Sequence, residues 1–482
     1  MKGLARDRLD ERVGDGLEAI LGAHHRRRLH RLGWGDVLAA RQVDDRFAAR
    51  RPVREGNSVE VLVDGEAGCA AMAVAIAGSR SHVHIANWHA SPDFRLLREP
   101  SAPTLGQLLA EVAERAAVRV LLWAGPPLPV FRPTRREVVA SRDGFTRGTK
   151  VHCVLDARER TLHCHHEKVV VIDDTTAFVG GIDFTALQGD RNDSNAHHPH
   201  GPLGWHDAVV RLSGPIVADV AGHFAQRWSE VAGETLPAPQ PPQPAGATAV
   251  QLVRTIPERT YRFAPRGEFT ILDTYLRALR SAQHLVYLEN QFLWSPEIAD
   301  VLIDKLRYPP HDRFRVLLML PRRPSNGADT TRGQLGRLIE ADGEGRRLLT
   351  TTLIAHDGHG SGPLYVHAKV GIVDDEWMTV GSANLNEHSL FNDSEVNVVT
   401  CDEGLARETR LRLWSEHLQR PVAEISGDPA EVIDRVWRPI AQEQAQLDRE
   451  GAPRTHRLAL LPGVSRRTSR LLGPIRGVLV DG

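Results

Sequence analysis

The chain has 482 residues, of which 41% are hydrophobic and 25% are charged, proportions that exclude a fibrous or disordered protein. The formal net charge of −1 excludes a global basic field of the kind that draws proteins onto nucleic acid. Four cysteines without a CxxC pair indicate free thiols in a reducing compartment. The charged N-terminus predicts neither a signal peptide nor a membrane helix. We therefore expect a cytoplasmic protein, with peripheral membrane attachment as an open alternative.

A proline-rich stretch, TLPAPQPPQPAGAT at 235–248, divides the body of the chain into two comparable halves. Prolines at this density cannot join a helix or a central strand and favour an extended spacer. The predicted segments are an N-terminal helical extension (1–55), a first half (56–234), the linker (235–249), a second half (250–425) and a C-terminal extension (426–482).

The two halves repeat one plan of alternating strands and helices. In chain order, the predicted strand-bearing segments of the first half are 73–92, 118–125 and 151–157, and those of the second half are 275–296, 314–321 and 349–355. Short apolar strands that alternate with helices are typical of sheets covered on both faces. The sequence therefore predicts an α/β fold built from two similar units.

Each half then reaches the same motif, HHEKVVVIDDTTAFVGGIDF at 165–184 and VHAKVGIVDDEWMTVGSANLN at 366–386. Both segments contain His-x-Lys, four further residues, Asp, six further residues and then Gly-Gly or Gly-Ser. Because strand side chains alternate between faces, the histidine and the lysine lie on the same side, as a phosphate site requires. The aspartate lies seven residues after the histidine and faces the other way, which favours a structural role for it.

These paired motifs resemble the HKD motifs of the phospholipase D superfamily, and the resemblance covers most of residues 56–425. The accessory segments 202–228, 286–294 and 381–389 are also similar to family segments. One departure is His388, where the family commonly has Arg, and this puts a local charge contact in doubt. The resemblance implies two pseudo-symmetric α/β/α sandwich halves in a monomer, with one active site at their interface.

The resemblance also implies a mechanism through a phosphohistidine. The implied catalytic residues are His166, Lys168, Asp173, His367, Lys369 and Asp374. In this scheme His166 is the nucleophile, His367 is the acid and base, and the two lysines neutralise the phosphoryl oxygens. Because lysines supply the positive charge, no metal and no cofactor are expected.

Supporting residues follow from the needs of a nucleophilic imidazole, whose second nitrogen must be held by an acceptor. The candidates are Asp207 and Glu395, and the alternative is that they are ordinary surface carboxylates. Asn384 is a candidate phosphate donor, Asp183 occupies the same offset in the first half, and Ser382 lies in the second Gly-Ser pair.

Other histidines and tryptophans have competing interpretations. A cluster of histidines suggests a metal site, but no carboxylate or cysteine spacing supports one, so we interpret them as loop and pocket-rim residues. They are His163, His165, His197, His198 and His200. Trp88, Trp205 and Trp294 are expected near the site, either cradling a quaternary ammonium headgroup or simply packing.

The sequence thus predicts a phospholipase D-type phosphodiesterase or transphosphatidylase that acts on glycerophospholipids at a membrane surface. A cardiolipin synthase-type phosphatidyltransferase, a nuclease of the same superfamily and a non-catalytic lipid-binding protein remain as alternatives. No stable nucleic-acid partner and no transmembrane segment are expected.

Overall fold

The structure is a computed structural model that describes residues 16, 19–39, 45–127, 132–159, 163–324 and 328–461. The helices are α1 (19–32), α2 (Gly35–Ala39), α3 (Gly65–Ala77), α4 (Leu105–Val112), α5 (Arg135–Thr146), α6 (Ile216–Ala232), α7 (Thr270–Ser281), α8 (Pro296–Arg307), α9 (Ala328–Asp342), α10 (Glu403–Leu418), α11 (Val422–Ile425), α12 (Pro429–Val432) and α13 (Arg438–Glu450). Two π-helical turns span His388–Asn392 and Ile433–Trp437. The strands are β1 (Val53–Val63), β2 (His82–Asn87), β3 (Ala117–Trp123), β4 (His152–Asp156), β5 (Val169–Ile172), β6 (Thr176–Gly180), β7 (Gly204–His206), β8 (Ala208–Ser213), β9 (Thr248–Ile256), β10 (Glu268–Phe269), β11 (Leu285–Glu289), β12 (Arg315–Met319), β13 (Leu348–His356), β14 (Ser361–Val366), β15 (Val370–Val373), β16 (Trp377–Gly381), β17 (Glu395–Thr400) and β18 (Leu458–Leu460).

The first half forms one mixed sheet in the order β4-β3-β2-β5-β6-β8-β1. The strands β4, β3 and β2 are parallel, and the remaining neighbours are antiparallel. The strand β5 carries the sequence VVVI and is buried at every position, as expected for a strand in a sheet that is covered on both faces.

The second half repeats this order as β13-β12-β11-β15-β16-β17-β9, with β18 added beside β13. Again the first three strands are parallel and the others are antiparallel. The strand β1 joins the two sheets, because its residues 58–63 pair with β8 and its residues 53–57 with β9. The predicted α/β fold of two similar units is thereby confirmed.

Two short seams connect the halves directly at the ends of the motif segments. In one, β14 pairs in parallel with β7, so that Val366 lies opposite His206. In the other, His165 forms a single parallel bridge with Ser394. Each seam ends immediately before a motif histidine on one side and a carboxylate on the other.

Residues 233–247, which include most of the proline-rich stretch, form neither helix nor strand. Within the described ranges, no helix combines the length and the apolar character needed to cross a bilayer. The segments 1–15, 17–18, 40–44 and 462–482 of the predicted extensions lie outside the described residues.

Candidate active site

The two motif histidines are each held by a carboxylate from the opposite half. His166 Nδ1 lies 2.9 Å from Glu395 Oε1, and His367 Nδ1 lies 2.6 Å from Asp207 Oδ2. The seams cause this exchange, because the His367 backbone N–H donates to His206 O and the His166 N–H donates to Ser394 O. Both imidazoles are buried, with 4% and 3% exposure.

Glu395 is surrounded by donors that fix its orientation. Ser382 Oγ and Ser389 Oγ each donate to it at 2.5 Å, and His166 Nδ1 also lies 3.1 Å from Ser382 O. Burial raises the pKa of Glu395 to about 7, an effect that Lys168 opposes. A proton on His166 Nδ1 places the imidazole lone pair on Nε2.

Asp207 makes a comparable set of contacts beneath His367. Its Oδ1 accepts from the Ala208 N–H at 2.8 Å, and burial raises its pKa to about 6. Burial, then Lys369, Arg191 and further cationic neighbours lower the pKa of His367 well below its usual range. The imidazole is therefore neutral in the protein alone. His166 is also among the neighbours that lower the pKa of His367, so the two imidazoles lie within electrostatic range of each other.

The two lysines project on the same side as their histidines, as the spacing predicts. Lys168 Nζ donates to His166 O at 2.6 Å, and Lys369 Nζ donates to His367 O at 2.5 Å. The intervening Glu167 points the other way, where its Oε2 lies 2.5 Å from His223 Nε2 on α6. Two ammonium groups thus face one buried site from opposite halves.

Amide side chains complete the second half of the site. Gln291 Oε1 accepts from Lys369 Nζ at 3.3 Å and from Asn384 Nδ2 at 3.2 Å. Gln291 Nε2 donates to the Tyr365 hydroxyl at 3.0 Å. Asn384 therefore lies beside Gln291 and Lys369, and its role as a phosphate donor stays a prediction. The sequence reasoning missed Gln291. This residue follows Asn290, which directly follows the strand β11 that leads into the site.

The first half carries charged groups at the corresponding place. Asp183 Oδ1 lies 3.5 Å from Lys168 Nζ, and its Oδ2 lies 3.1 Å from Arg191 Nη1. The Arg191 guanidinium stacks on the Trp205 ring at 3.3 Å, and that ring lies 4.5 Å from the His367 ring. Sequence reasoning also missed Arg191, a third cation in the site. Because Arg191 and His367 occupy its surroundings, Trp205 has a packing role and does not cradle a headgroup.

Asp173 and Asp374 lie away from the histidines and lysines. Asp173 accepts the N–H groups of residues 80–82 at 2.8–2.9 Å, and Asp374 accepts those of residues 283–285 at 2.7–2.8 Å. Each sits in a turn with positive φ, 52° and 58°, beyond the end of β5 or β15 that is distal to the lysine. Asp173 lies five positions after Lys168 along an extended strand, about 16 Å away. These contacts favour a structural role for both aspartates, and their place in the catalytic set stays a prediction.

Trp88 lies in the site, whereas Trp294 packs away from it. The Trp88 ring lies 5.8 Å from Lys168 Nζ and 6.4 Å from the His166 ring. Trp294 has a packing role, since its ring contacts Phe292 and its Nε1 donates to Thr331 at 2.8 Å. His388, the departure from the family pattern, is buried in the first π-helical turn.

The histidines interpreted as loop and rim residues need a partial correction. His165 is buried against Asp156 and the Tyr261 hydroxyl, and His197 is fully buried. His198 is exposed and His200 lies at the surface. Burial separates these residues into groups that the sequence could not distinguish, because a His-rich stretch has no periodicity of its own.

Among the described residues, five groups of histidine and carboxylate side chains are close enough to hold a metal ion, and one of them lies next to the motif histidines. Ligand atoms of Asp64, His197, His206 and Glu416 lie within 4.8 Å of one another. The second ring nitrogens contact Asp193 at 3.0 Å and Glu289 at 2.9 Å, the arrangement that commonly orients metal-ligating imidazoles. The group lies directly behind the acceptor of His367, because Asp64 Oδ1 accepts from the Asp207 N–H at 3.0 Å.

Parts of the chain are similar in sequence to known proteins. Residues 275–415 match the family model described as cardiolipin synthase, PLD-like domain. Phospholipase D A of Dictyostelium discoideum is 26% identical over 465 residues, which cover 77% of this chain and 36% of that protein. Phospholipase D alpha 1 of Cynara cardunculus is 26% identical over 566 residues, which cover 82% of this chain and 69% of that protein. The chain thus spans little more than a third of the Dictyostelium protein.

A solved structure also shares the fold. The crystal structure of phosphatidylserine synthase from Haemophilus influenzae Rd KW20 superposes with a TM-score of 0.51 and 12% identity, over 84% of this chain and 96% of that chain. At this identity the likeness concerns the fold alone. Together, the sequence matches and the shared fold make this chain similar to proteins of the phospholipase D superfamily.

Proposed function

We propose that this chain cleaves the headgroup phosphodiester of glycerophospholipids through a phosphohistidine, and passes the phosphatidyl group to water or to an alcohol. The observation that supports the proposal is the crosswise pairing of His166 with Glu395 and of His367 with Asp207. Each imidazole is fixed by a carboxylate at Nδ1, which leaves its chemistry to Nε2. We also propose that the protein is cytoplasmic and monomeric.

In the first step, His166 Nε2 attacks phosphorus, and a nitrogen–phosphorus bond forms as the bond to the headgroup oxygen breaks. The departing oxygen takes the proton from His367 Nε2, which must therefore be protonated at this moment. A phosphodiester anion between Lys168 and Lys369 would offset the positive charges that lower the pKa of His367. Substrate binding thereby favours the acid form of His367 that the step needs.

In the second step, the incoming oxygen attacks phosphorus while His367 Nε2 accepts its proton. The nitrogen–phosphorus bond breaks and His166 is regenerated. Lys168 and Lys369 neutralise the oxygens as charge develops on them in both steps. Hydrolysis and headgroup exchange follow the same path and differ only in the incoming oxygen.

The alternative functions differ in substrate or in chemistry. A phosphatidyltransferase of the cardiolipin synthase type would use the same residues, and the matched family model carries that description. A nuclease is disfavoured because the chain has a formal net charge of −1, and a purely lipid-binding role is disfavoured because both His–Lys pairs are intact. Acceptor alcohols in the assay distinguish hydrolysis from transfer.

The test combines a substrate panel with trapping of the covalent intermediate. Purified protein is assayed on phosphatidylcholine, phosphatidylethanolamine, phosphatidylglycerol, cardiolipin and single-stranded DNA, with and without glycerol as acceptor. Rapid denaturation of the wild type in detergent at neutral to alkaline pH, where the nitrogen–phosphorus bond survives, should trap label from a lipid radiolabelled in the phosphatidyl group. His166→Ala should trap none. His367→Ala should accumulate label when the leaving group is p-nitrophenolate, which needs no proton.

Each outcome has a clear meaning. Turnover of the lipids with label on wild type and on His367→Ala supports the proposal. Label on His166→Ala but not on His367→Ala would reverse the two roles. Cleavage of DNA without turnover of any lipid, or no turnover at all, would contradict the proposed function.

A further inference from the structure

The two halves of the site differ at positions that the fold makes equivalent. Ala90 forms a parallel bridge with Phe184, and Leu293 forms the same bridge with Leu385. The residues that precede these four therefore occupy matching places. The matched pairs are Trp88 with Gln291, His89 with Phe292, and Asp183 with Asn384.

In the second half, the polar groups at these positions bond to one another. Gln291 joins Lys369, Asn384 and the Tyr365 hydroxyl through three hydrogen bonds. Phe292 is apolar and fully buried. The second half thus presents a hydrogen-bonded network of amide and hydroxyl groups around its lysine.

In the first half, several atoms of the matching side chains lack a hydrogen-bond partner. Among the residues that the structure describes, Trp88 Nε1, His89 Nδ1, Asp183 Oδ1 and Arg191 Nε have no hydrogen-bond partner. All four side chains are buried, with at most 4% exposure. More than about 90% of buried polar groups in proteins are hydrogen-bonded. Four such atoms in one place indicate that another molecule supplies the missing bonds.

These four residues lie together beside the reacting groups. Asp183 contacts both Arg191 and Lys168, and the charges of Asp183 and Arg191 act on His89. Trp88 lies next to His166 at one end. At the other end, Arg191 stacks on Trp205, which packs on His367. The cluster is therefore linked by ring contacts to both motif histidines.

We propose that Trp88, His89, Asp183 and Arg191 form a headgroup subsite that selects alcohols carrying a hydroxyl or primary ammonium group over choline. This inference rests on the proposed function, since it names the class of headgroup that the site accepts. A glycerol or ethanolamine headgroup offers donors and acceptors of its own, whereas a trimethylammonium group offers neither.

The chemistry of the four atoms matches such a headgroup. The indole N–H of Trp88 and the Nε–H of Arg191 can only donate, and the Asp183 carboxylate can only accept. Burial lowers the pKa of His89 to about 4, so its neutral ring donates from one nitrogen and accepts at the other. A headgroup without hydrogen-bonding atoms would leave these buried groups unpaired, and such mismatches are strongly selected against, by factors up to about 10⁴.

The test measures the ratio of kcat/KM for phosphatidylethanolamine and phosphatidylglycerol to that for phosphatidylcholine. We expect a ratio of at least about 100 in the wild type. His89→Phe installs the residue of the matched position in the second half and should lower the ratio at least about tenfold. Trp88→Phe, which removes the indole N–H but keeps an aromatic ring, should lower it in the same direction. A ratio within one preparation is insensitive to the fraction of folded enzyme.

A matched variant and a reference substrate separate the possible failures. Phe292→Leu alters the packing at the equivalent position without changing any hydrogen-bonding group, and should leave the ratio unchanged. Phosphatidyl-p-nitrophenol has a leaving group without a hydroxyl or an amine, so its turnover by the wild type tests the proposed chemistry alone. Turnover of this substrate with equal use of choline lipids, or with a ratio that neither variant shifts, would overturn the subsite. No turnover of any substrate would overturn the proposed function and the subsite together.

Discussion

Asp207, which belongs to the first half of the molecule, holds the imidazole of His367 in the second half at 2.6 Å. The reverse pairing joins Glu395 of the second half to His166 of the first at 2.9 Å. Neither half therefore contains a histidine together with the carboxylate that orients it. This exchange explains why the seam between β7 and β14 and the bridge between His165 and Ser394 lie directly before the site residues.

The first prediction concerns these carboxylates. Asp207→Asn and Glu395→Gln keep the shape of the side chain but remove the negative charge that fixes each imidazole. Because positioned acid–base groups contribute about 10²–10⁴-fold, we expect kcat to fall by about that range in either variant. The control is Glu114→Gln, an exposed carboxylate paired with Lys150, which should keep its kcat. Wild-type kcat in both site variants would show that the crosswise pairs do not serve the chemistry.

The second prediction is an acidic limb in the pH profile. Burial raises the pKa of Glu395 to about 7, and the ionised carboxylate stabilises the positive charge that His166 gains on attack far better than the neutral acid does. As pH falls through about 7 this negative charge is lost, so kcat/KM should fall about tenfold per further pH unit. Glu395→Gln should remove the inflection near pH 7 at a lower overall rate. An unchanged inflection in that variant would assign the limb to another group.

The same raised pKa has the opposite sign for stability. Folding favours the protonated form of Glu395, so the stability it contributes is present at low pH and is lost as pH rises through about 7. The site is therefore least stable where it is most active. The free energy of unfolding is measured for the wild type and for Glu395→Gln at pH 5.5 and at pH 8.5. The difference in this free energy between the two proteins should not be the same at the two pH values.

The fold and the core of the site were predictable because they depend on local patterns. The His-x-Lys spacing places His166 and Lys168 on one face of an extended segment, and the repeat places His367 and Lys369 in the same way. Which carboxylate serves which histidine was not predictable, because that depends on strand pairing between halves, far apart in sequence. Arg191 escaped notice for the same reason, since its role depends on stacking against Trp205.

The third prediction concerns Asp173 and Asp374, which the structure places outside the reacting groups. Asp173→Ala and Asp374→Ala each leave three backbone N–H groups without their carboxylate acceptor. Each should lower the free energy of unfolding by about 1–3 kcal/mol, while the folded enzyme keeps its kcat within a few-fold. Urea unfolding together with active-site titration by the trapped intermediate separates the two effects. A loss of kcat at unchanged stability would place these aspartates in the catalytic set.

The fourth prediction uses the glycine that faces Asp207. A Cβ added at Gly181 would lie 2.1 Å from Asp207 Oδ1, so Gly181→Ala must displace the carboxylate that holds His367. The second half has Ser382 at the equivalent position, and its Oγ donates to Glu395 at 2.5 Å. The orienting carboxylate thus lies against a glycine in the first half and against a serine hydroxyl in the second. We expect Gly181→Ala to lose at least as much kcat as Asp207→Asn.

The control is Gly222→Ala on α6, where a Cβ meets nothing within 4 Å. This change should leave kcat unaltered and stabilise the helix by about 0.5–1 kcal/mol. If Gly181→Ala retained wild-type kcat while Gly222→Ala behaved as expected, the close approach of Asp207 to the backbone would have no part in positioning His367.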